Sequence, residues 1–494
     1  MLRKIRLVLA GVFFIGISLM FLDFTGTLHR WLSWMAKVQF LPAVLALNVV
    51  VIVTLLALTL IFGRIYCSVI CPLGVMQDVI ARLNRKKNKY SYSGAISWLR
   101  YIMLAIMVVA CLAGIGSLMA LLAPYSSYGR IATFILQPLW QLGNNVLASI
   151  AERVDSYAFY TTDVWMKSLP TFGIALATLL IVGFLAFRHG RTYCNTICPV
   201  GTVLGFFARF SLFKVRFDEE KCKNCSLCSK NCKAACIDYK SHSVDYSRCV
   251  ACGNCIDKCK FGALAYSMKK AGKKSEPVAE PRQESVDEGK RSFLLATALV
   301  TTAAMAQEKK KVDGGLAEIK EKLAPVRQTP ITPPGSLSAS NMQKHCTACQ
   351  LCVSECPNGV LRPSSDLMKL MQPTMSYERG YCRPECTRCS EVCPAGAIMP
   401  ISLDEKSSIQ IGHAVFIKKN CVAVNDGVEC GNCARHCPVG AIEMVQLDEE
   451  DDESPFVPAV NESRCIGCGA CENLCPARPF PAIFVEGHEV HKKV

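Results

Sequence analysis

The chain has 494 residues, of which 51% are hydrophobic and 30 are cysteine, and its formal net charge is +15. So many cysteines in a chain of this length indicate metal binding, because disulfide scaffolds of comparable density are expected only in small secreted proteins. The basic residues cluster beside apolar segments. That pattern is typical of membrane orientation and not of a nucleic-acid-binding stripe, so we expect no nucleic-acid partner.

The first 217 residues contain four apolar runs, each close to the length that a helix needs to cross a membrane. They predict an α-helical membrane domain of four helices. The runs cover residues 7–22, 40–62, 101–123 and 171–187. Cations are concentrated in the loops after the second and fourth runs. The positive-inside rule therefore places the N-terminus and both of these loops in the cytoplasm.

A Y-C-x3-C-P motif follows the second and the fourth apolar runs. The repeat predicts an internal duplication, whose pseudo-symmetry would bring four cysteines together near the inner membrane surface. These thiols could bind a further metal centre, form a redox-active site, or be buried small hydrophobic side chains. Cys111, alone in the third run, is expected to be a packing residue. The four candidate catalytic residues are Cys67, Cys71, Cys194 and Cys198.

A ferredoxin-like unit follows the helices, with eight cysteines in two groups of four and an extra one at Cys236. The spacing C-x2-C-x2-C-x3-C lets three thiolates bind one [4Fe-4S] cluster while the fourth binds the neighbouring cluster. Cys259 should therefore complete the first cluster and Cys232 the second, although Cys236 could replace Cys232. Lys233 and Lys260 stand where proline usually follows. The unit spans 218–268, and its predicted ligands are Cys222, Cys225, Cys228, Cys232, Cys249, Cys252, Cys255 and Cys259.

Two segments separate this unit from the C-terminal cysteines. Residues 269–289 are rich in Lys, Glu, Pro, Ser and Gly, which predicts a linker. Residues 290–307 join a Lys-Arg pair to an apolar run and an A-x-A site, as in a twin-arginine export signal or a membrane anchor. Because clusters are assembled in the cytoplasm, residues 308–494 would be exported already folded. A short cytoplasmic hairpin is the alternative.

The C-terminal domain contains four groups of four cysteines, each ending in Cys-Pro. This spacing directs several soft thiolates at one metal centre. It predicts an α+β unit that holds four clusters. Zinc sites are the main competing interpretation. The chain would then hold six [4Fe-4S] clusters. The acidic run 448–453 is expected to be a solvated loop. The predicted ligands are Cys346, Cys349, Cys352, Cys356, Cys382, Cys386, Cys389, Cys393, Cys421, Cys430, Cys433, Cys437, Cys465, Cys468, Cys471 and Cys475.

These motifs resemble a known family. Residues 1–266, with their paired Y-C-x3-C-P motifs, resemble NapH, the ferredoxin-type membrane subunit of periplasmic nitrate reduction systems. They are also similar to a wider group that includes nitrous-oxide regulators and cytochrome-oxidase assembly proteins. The part from Lys290 onward resembles NapG, the exported four-cluster partner, including the P-P-G-S-L approach at 333–337. The chain is thus similar to a NapH-NapG fusion.

The resemblance implies an electron-transfer subunit of a quinol-oxidising enzyme in the bacterial cytoplasmic membrane. Menaquinol or ubiquinol would be oxidised in the helical part, and a periplasmic c-type cytochrome or terminal reductase would accept the electrons. The candidate quinone contacts, which would otherwise be interfacial anchors, are Tyr66, Tyr193, Arg64 and Arg191. The resemblance also implies which group each final cysteine completes: Cys475 the first, Cys437 the second, Cys393 the third and Cys356 the fourth.

Two other functions fit the same residues. The chain could be an assembly factor that reduces a metal or a thiol for a respiratory enzyme, or a wire fed by a soluble ferredoxin without a quinone site. The sequence has no nucleotide-binding fingerprint and no C-x2-C-H haem attachment motif. The terminal reductase is therefore expected to be another polypeptide. If the segment 290–307 crosses the membrane, the paired motifs are the one feature available to carry electrons across.

Overall fold

The structure is a computed structural model that describes residues 2–84, 90–156, 158–268, 320–448, 450 and 454–493. The predicted linker, the export signal and most of the acidic run lie outside these residues. The described chain forms a helical region at 2–208, a first ferredoxin unit at 213–268 and a C-terminal ferredoxin domain at 320–493.

The helical region consists of long and short helices in succession, grouped around one buried apolar cluster. Its elements are α1 Leu2–Leu22, α2 His29–Lys37, α3 Phe40–Leu45, α4 Val49–Phe62, α5 Ile65–Val69, α6 Pro72–Leu83, α7 Ser97–Leu112, α8 Gly116–Leu122, α9 Pro124–Ile131, a π-helix Ala132–Leu136, α10 Gln137–Glu152, α11 Leu169–His189, α12 Thr192–Thr196 and α13 Pro199–Ala208.

Two of the four predicted membrane helices are interrupted. The run 40–62 breaks between α3 and α4 at Leu47, whose φ is 51°, and Asn48, whose side chain caps α4. The run 101–123 breaks between α7 and α8 around Gly114, whose φ is 73°. Left-handed residues end helices because they redirect the chain away from the helical hydrogen-bond pattern. Within the described chain, only α1 and α11 are long and apolar enough to cross a membrane.

The two Y-C-x3-C-P motifs adopt the same local structure. Each begins after a glycine that ends the preceding helix, Gly63 after α4 and Gly190 after α11, both with a φ of 70°. A short helix, α5 or α12, then carries the first motif cysteine. The motif proline opens the next helix, α6 or α13, where its fixed φ and missing N–H fit the first turn. The duplication in the sequence is therefore also a duplication of the backbone.

The first ferredoxin unit contains two antiparallel strand pairs, β1 with β4 and β2 with β3. The strand β1 lies within the segment 1–217 that the sequence assigned to the helices, so the unit begins at Phe213. Its contact with the end of α4 includes a hydrogen bond of 2.8 Å from the Tyr266 hydroxyl to the Phe62 carbonyl. The elements are β1 Phe213–Phe217, α14 Leu227–Lys230, β2 Ile237–Asp238, β3 Ser243–Val244, α15 Asn254–Lys258 and β4 Leu264–Met268.

The C-terminal ferredoxin domain has three antiparallel strand pairs, β5 with β6, β7 with β10 and β8 with β9. Its elements are α16 Ala339–His345, α17 Leu351–Glu355, β5 Leu361–Pro363, β6 Pro373–Met375, α18 Arg388–Val392, α19 Leu403–Ser408, β7 Ile409–Phe416, a 3-10 helix Lys418–Asn420, α20 Val422–Asn425, α21 Asn432–Arg435, β8 Ile442–Gln446, β9 Phe456–Val460, α22 Ala470–Leu474 and β10 Ile483–Lys493.

The helix α1 contacts both ferredoxin regions, one at each end. Near its N-terminus, Arg3 forms an ion pair with Asp257 of the first ferredoxin unit. Near its C-terminus, Phe21 and the backbone carbonyl of Cys349 both lie against Gly129 of α9. A helix of 21 residues is about 31 Å long. The two ferredoxin regions therefore lie at opposite ends of the helical region.

Candidate iron-sulfur and thiol sites

The first ferredoxin unit groups its cysteines into two sets of four. One set surrounds a small cavity, and the other is formed by thiols that lie beside one another in the interior. Each set combines three cysteines of one group with the last cysteine of the other, which is the exchange found in two-cluster ferredoxins. The sets are Cys222, Cys225, Cys228 with Cys259, and Cys249, Cys252, Cys255 with Cys232.

The extra thiol of Cys236 lies inside this unit. Its Sγ is 3.5 Å from the Sγ of Cys232, and it also contacts Cys249. Cys232 lies beside Cys252 and Cys255 as well. The structure therefore places Cys232 among the three thiols of the second group and Cys236 at the edge of that set.

The C-terminal domain also exchanges final cysteines, but between consecutive groups. The first group is completed by Cys393, and the second group lies beside Cys356. The third group is completed by Cys475, and the fourth lies beside Cys437. This corrects the pairing that the family resemblance implied, in which the first group exchanges with the fourth and the second with the third.

The hairpins explain the observed pairing. The antiparallel pair β5 and β6 lies between the first and second cysteine groups, and the pair β8 and β9 lies between the third and fourth. Each hairpin reverses the chain, so it returns the next group to the side of the previous one. Consecutive groups therefore share their ligands. The wide gap between Cys421 and Cys430 does not separate them, because both line the cavity that Cys475 completes.

The four cysteines of the paired motifs lie together in the helical region. Each is 4% exposed, and Cys198 is beside the other three, Cys67, Cys71 and Cys194. Two of the sulfurs accept hydrogen bonds of 3.3 Å, one from the Gly201 amide to Cys198 and one from the Gln77 side chain to Cys194. We call this group of four cysteines the four-thiol site.

Two arginines cross between the motif copies at this site. Arg64 of the first copy donates to the carbonyl oxygen of Cys194 at 3.0 Å, and Arg191 of the second copy donates to that of Cys67 at 2.5 Å. Both side chains are completely buried. A glycine lies beside each accepting carbonyl, because any larger residue there would overlap the carbonyl oxygen. A Cβ on Gly201 would lie 2.2 Å from the Cys194 carbonyl oxygen.

The buried charges around the four-thiol site are mostly positive. Asp78 of α6 is the carboxylate partner of Arg6, Arg191 and Lys233. Burial alone would raise the pKa of Asp78, but Arg191 and Lys233 hold that pKa well below its usual range. Arg64 has no carboxylate partner among the described residues and donates to neutral oxygens and to a cysteine sulfur. Burial raises the pKa of the Cys194 thiol, and the nearby guanidinium groups of Arg191 and Arg64 oppose that rise.

The candidate quinone contacts have partners within the protein. The Tyr66 hydroxyl donates to the Gln39 side chain at 3.0 Å, and the Tyr193 hydroxyl donates to the Leu122 carbonyl at 3.1 Å. Both rings are buried, as are Arg64 and Arg191. They are therefore not interfacial anchors, and they shape the four-thiol site. Cys111, expected to be a packing residue, is exposed on α7.

The four-thiol site contacts the first ferredoxin unit on one side. Lys233, which directly follows Cys232, lies 2.9 Å from Asp78, and the amide of Arg191 donates to the Lys233 carbonyl at 2.8 Å. Arg64 donates to the carbonyl of Ser247 at 3.1 Å. Asp78 was not predicted from the motif repeat, because only the first motif copy has a carboxylate at that place. The signal that could have identified Lys233 was its position in place of the usual proline.

On its other side, the four-thiol site approaches the C-terminal domain through α9. Tyr193 donates to the carbonyl of Leu122, two residues before α9 begins. Within α9, the Ser126 hydroxyl donates to the carbonyl of Thr347 at 2.6 Å. Thr347 lies between the first two cysteines of the first C-terminal group. The four-thiol site therefore lies between a cysteine set of each ferredoxin region.

Comparison with protein families identifies iron-sulfur domains along the chain. A family model described as a 4Fe-4S binding domain matches residues 44–90 and 169–218, which contain both Y-C-x3-C-P motifs. Two models described as 4Fe-4S dicluster domains match residues 245–360 and 428–478. The second of these covers most of the third group and all of the fourth group, which share ligands in the structure. The chain therefore contains several [4Fe-4S] domains of the ferredoxin type.

Curated relatives cover different portions of the chain. Methylamine utilization ferredoxin-type protein MauM of Methylobacillus flagellatus is 31% identical over 165 residues, 33% of this chain and 70% of MauM. Ferredoxin-type protein NapH of Escherichia coli is 25% identical over 227 residues, 44% of this chain and 67% of NapH. The putative electron transport protein YccM of Escherichia coli is 26% identical over 239 residues, 47% of this chain and 58% of YccM. No solved structure matches significantly.

Proposed function

Because this chain belongs to the family of ferredoxin-type iron-sulfur proteins that includes MauM, we propose that it carries electrons through six [4Fe-4S] clusters and one further metal centre. The 24 cysteines of the six ferredoxin-type sets hold the clusters. The four-thiol site holds the further centre, an iron-sulfur cluster, and connects the two ferredoxin regions. The NapH-like and NapG-like parts act as one relay within a single polypeptide.

The observation that carries this proposal is the buried charge at the four-thiol site. Arg6, Arg64, Arg191 and Lys233 are counterbalanced by the single carboxylate Asp78 among the described residues. Buried charges are costly unless they are paired. Four thiolates around an iron-sulfur core carry a net negative charge, which would pair with this excess. Hydrogen bonds to the sulfurs of Cys194 and Cys198 are of the kind that set the potential of such centres.

We place the relay in the bacterial cytoplasmic membrane, with α1 and α11 as spanning helices. The first ferredoxin unit is then cytoplasmic and the C-terminal domain periplasmic, in agreement with their positions at opposite ends of the helical region. Quinol is the electron donor, and its oxidation releases two electrons and two protons. Each cluster accepts one electron at a time. The acceptor is a periplasmic c-type cytochrome or terminal reductase, as the likeness to NapH suggests.

The alternative of a thiol-reducing assembly factor fits the geometry less well. A thiol that reduces a partner must reach it, because exchange proceeds by direct attack of a thiolate on the partner's sulfur. All four thiols of the four-thiol site are 4% exposed and enclosed by protein. A soluble ferredoxin is a better supported second donor, since Cys225 of the first ferredoxin unit is exposed, beside the lysines of positions 221 and 223.

A double substitution, Cys67→Ser with Cys194→Ser, tests the proposal. We expect purified protein to lose the iron of one centre and to keep its other clusters. Reduction of the C-terminal clusters by a quinol analogue should slow at least a hundredfold, because the connection between the two regions is removed. The measurements are iron per chain and the rate of cluster reduction under anaerobic conditions.

The matched control is Cys111→Ser, which changes a cysteine outside every proposed site and should alter neither quantity. Unchanged iron in the double variant would exclude a metal centre at the four-thiol site. An impermeant label at residue 494 in intact spheroplasts tests the orientation separately. We expect labelling, and a protected terminus would place the C-terminal domain in the cytoplasm.

A further inference from the structure

A second cluster of metal-binding side chains lies where the helical region meets the C-terminal domain. Asp23 directly follows α1, His29 opens α2, and Glu355 ends α17. One ligand atom from each of the three residues lies within 4.8 Å of the other two. The residues are 6%, 3% and 2% exposed, respectively. Two of them belong to the helical region and one to the C-terminal domain.

Glu355 lacks the partners that a buried carboxylate requires. Neither of its oxygens accepts a hydrogen bond from any described residue, and the Nδ1 of His29 likewise forms no hydrogen bond with a described residue. The nearby cations bind elsewhere: Lys167 donates to Gln137 and the carbonyl of Val353. An unpaired buried carboxylate is costly, so this cluster is incomplete as a purely protein arrangement.

The remaining atoms of the cluster point to a cation. Asp23 uses its Oδ1 to accept three hydrogen bonds from the turn that follows, but its Oδ2 accepts only one, from Leu28 at 2.8 Å. The imidazole of His29 has its Nε2 3.1 Å from a carboxylate oxygen of Glu391 and its Nδ1 3.9 Å from Glu355. A histidine that binds a metal through one nitrogen usually donates its other N–H to a carboxylate in this way.

We propose that Asp23, His29 and Glu355 bind one divalent transition-metal ion, Zn²⁺, with Glu391 orienting the imidazole. One imidazole nitrogen and two carboxylates are a donor set that zinc accepts, and the two carboxylate charges neutralise the ion. Tetrahedral zinc at bond lengths of about 2.0–2.2 Å holds its ligand atoms about 3.3–3.6 Å apart. The side chains therefore close by about 1 Å around the ion.

The site joins two parts of the protein. The ion is bound from both the helical region and the C-terminal domain, so it fastens one to the other. Glu355 is the residue directly before Cys356. Binding of the ion by Glu355 therefore also fixes the loop that supplies this cluster ligand.

Metal analysis of the anaerobically purified full-length chain tests the proposal. After incubation with ZnCl₂ and dialysis, we expect one zinc ion per chain in the unaltered protein. X-ray absorption at the zinc edge should show nitrogen and oxygen ligands at about 2.0–2.1 Å, whereas zinc misincorporated at cysteines would show sulfur at about 2.3 Å. His29→Gln and Glu355→Gln should each abolish zinc binding, and Glu391→Gln should weaken it by 10- to 100-fold.

The matched controls are His345→Gln and Glu378→Gln, which change the same residue types at positions of the C-terminal domain outside the proposed site and should retain zinc. Iron per chain is measured in every variant, so that loss of a cluster is distinguished from loss of zinc. His29→Gln leaves every cluster ligand and its neighbours intact, which keeps the test valid if Glu355→Gln fails to fold. An unaltered protein without zinc, or a sulfur-only ligand shell, would overturn the proposal.

Discussion

The two copies of the Y-C-x3-C-P motif share a backbone but differ in what surrounds their arginines. Asp78 follows the first cysteine of its copy by eleven residues, and Gly205 occupies the same place in the other copy. Arg191 therefore meets a carboxylate, 2.8 Å from its Nε. Arg64 instead meets the carbonyl of Ser247, which belongs to the first ferredoxin unit.

This difference separates two roles of the duplication. The shared features, which are the cysteines, the prolines and the crossing arginines, build the four-thiol site. The features that diverged build the contact with the first ferredoxin unit. Asp78 binds Lys233 of that unit, and Gly205 leaves space for the Ser247 carbonyl, which would lie 2.6 Å from a Cβ at that position. The residues shared by the two copies form the four-thiol site, and the residues that differ between the copies form the contact with the first ferredoxin unit.

The largest effect is expected from Asp78→Asn, which removes the one carboxylate of the first copy. Removing one partner of a buried ion pair leaves uncompensated charge and typically costs about 3–5 kcal/mol. We expect a strongly lowered Tm and weakened attachment of the first ferredoxin unit, measured by anaerobic thermal unfolding and by limited proteolysis. Asp218→Asn is the control, since that exposed pair with Lys221 should leave Tm unchanged. An unaltered Tm in Asp78→Asn would contradict the role of this carboxylate.

A smaller effect is expected from Lys233→Ala, compared with Lys260→Ala. Both lysines follow the last cysteine of their group, but Lys233 is buried against Asp78 and Lys260 is exposed. Because Asp78 keeps its arginine partners, we expect Lys233→Ala to lower the free energy of unfolding by about 2 kcal/mol. Lys260→Ala should change it by less than about 0.5 kcal/mol. Equal effects of the two substitutions would show that the contact with Asp78 contributes nothing to docking.

The smallest effect is expected from Gly205→Ala in the second copy. The added Cβ overlaps the Ser247 carbonyl and the Arg100 side chain, each at 2.6 Å. Overpacking typically costs about 1–3 kcal/mol, and here we expect about 1 kcal/mol, because the ferredoxin unit can move away from Arg64 to relieve the overlap. Gly173→Ala in α11 is the control, because no atom lies within 4 Å of its added Cβ. If both variants unfold at the same temperature, the close approach at Gly205 is not a constraint on docking.

Cysteine spacing predicted the ligand groups but not their pairing in the C-terminal domain. The spacing within a group indicates which thiols can bind one cluster. Which group supplies the fourth ligand depends on how the chain between the groups folds back. The hairpins β5–β6 and β8–β9 decide that return, and their strands are only three to five residues long. The motif repeat predicted that Cys67 and Cys194 meet. It could not predict Asp78 or Lys233, because a contact between separate parts of the chain has no local signature.

In the helical region, too, the sequence predicted only part of the structure. Apolar runs predicted α1 and α11, in which no residue adopts a left-handed φ. They did not predict the breaks at Leu47 and Gly114, where the chain adopts left-handed φ values. The Asp23, His29 and Glu355 cluster was also missed, because its members come from distant parts of the sequence and fit no metal motif.

The contacts of α1 at both of its ends have an energetic consequence for electron transfer. Arg3 meets the first ferredoxin unit, and the turn after Phe21 meets the C-terminal domain, about 31 Å away. In the proposed membrane placement, an electron that passes between the two regions moves through the transmembrane voltage. Moving one electron fully across the membrane then changes its free energy by about 2.3 kcal/mol for every 100 mV of that voltage. Because α1 sets the distance between the two ferredoxin regions, the membrane voltage changes the free-energy difference between an electron on the clusters of one region and an electron on those of the other.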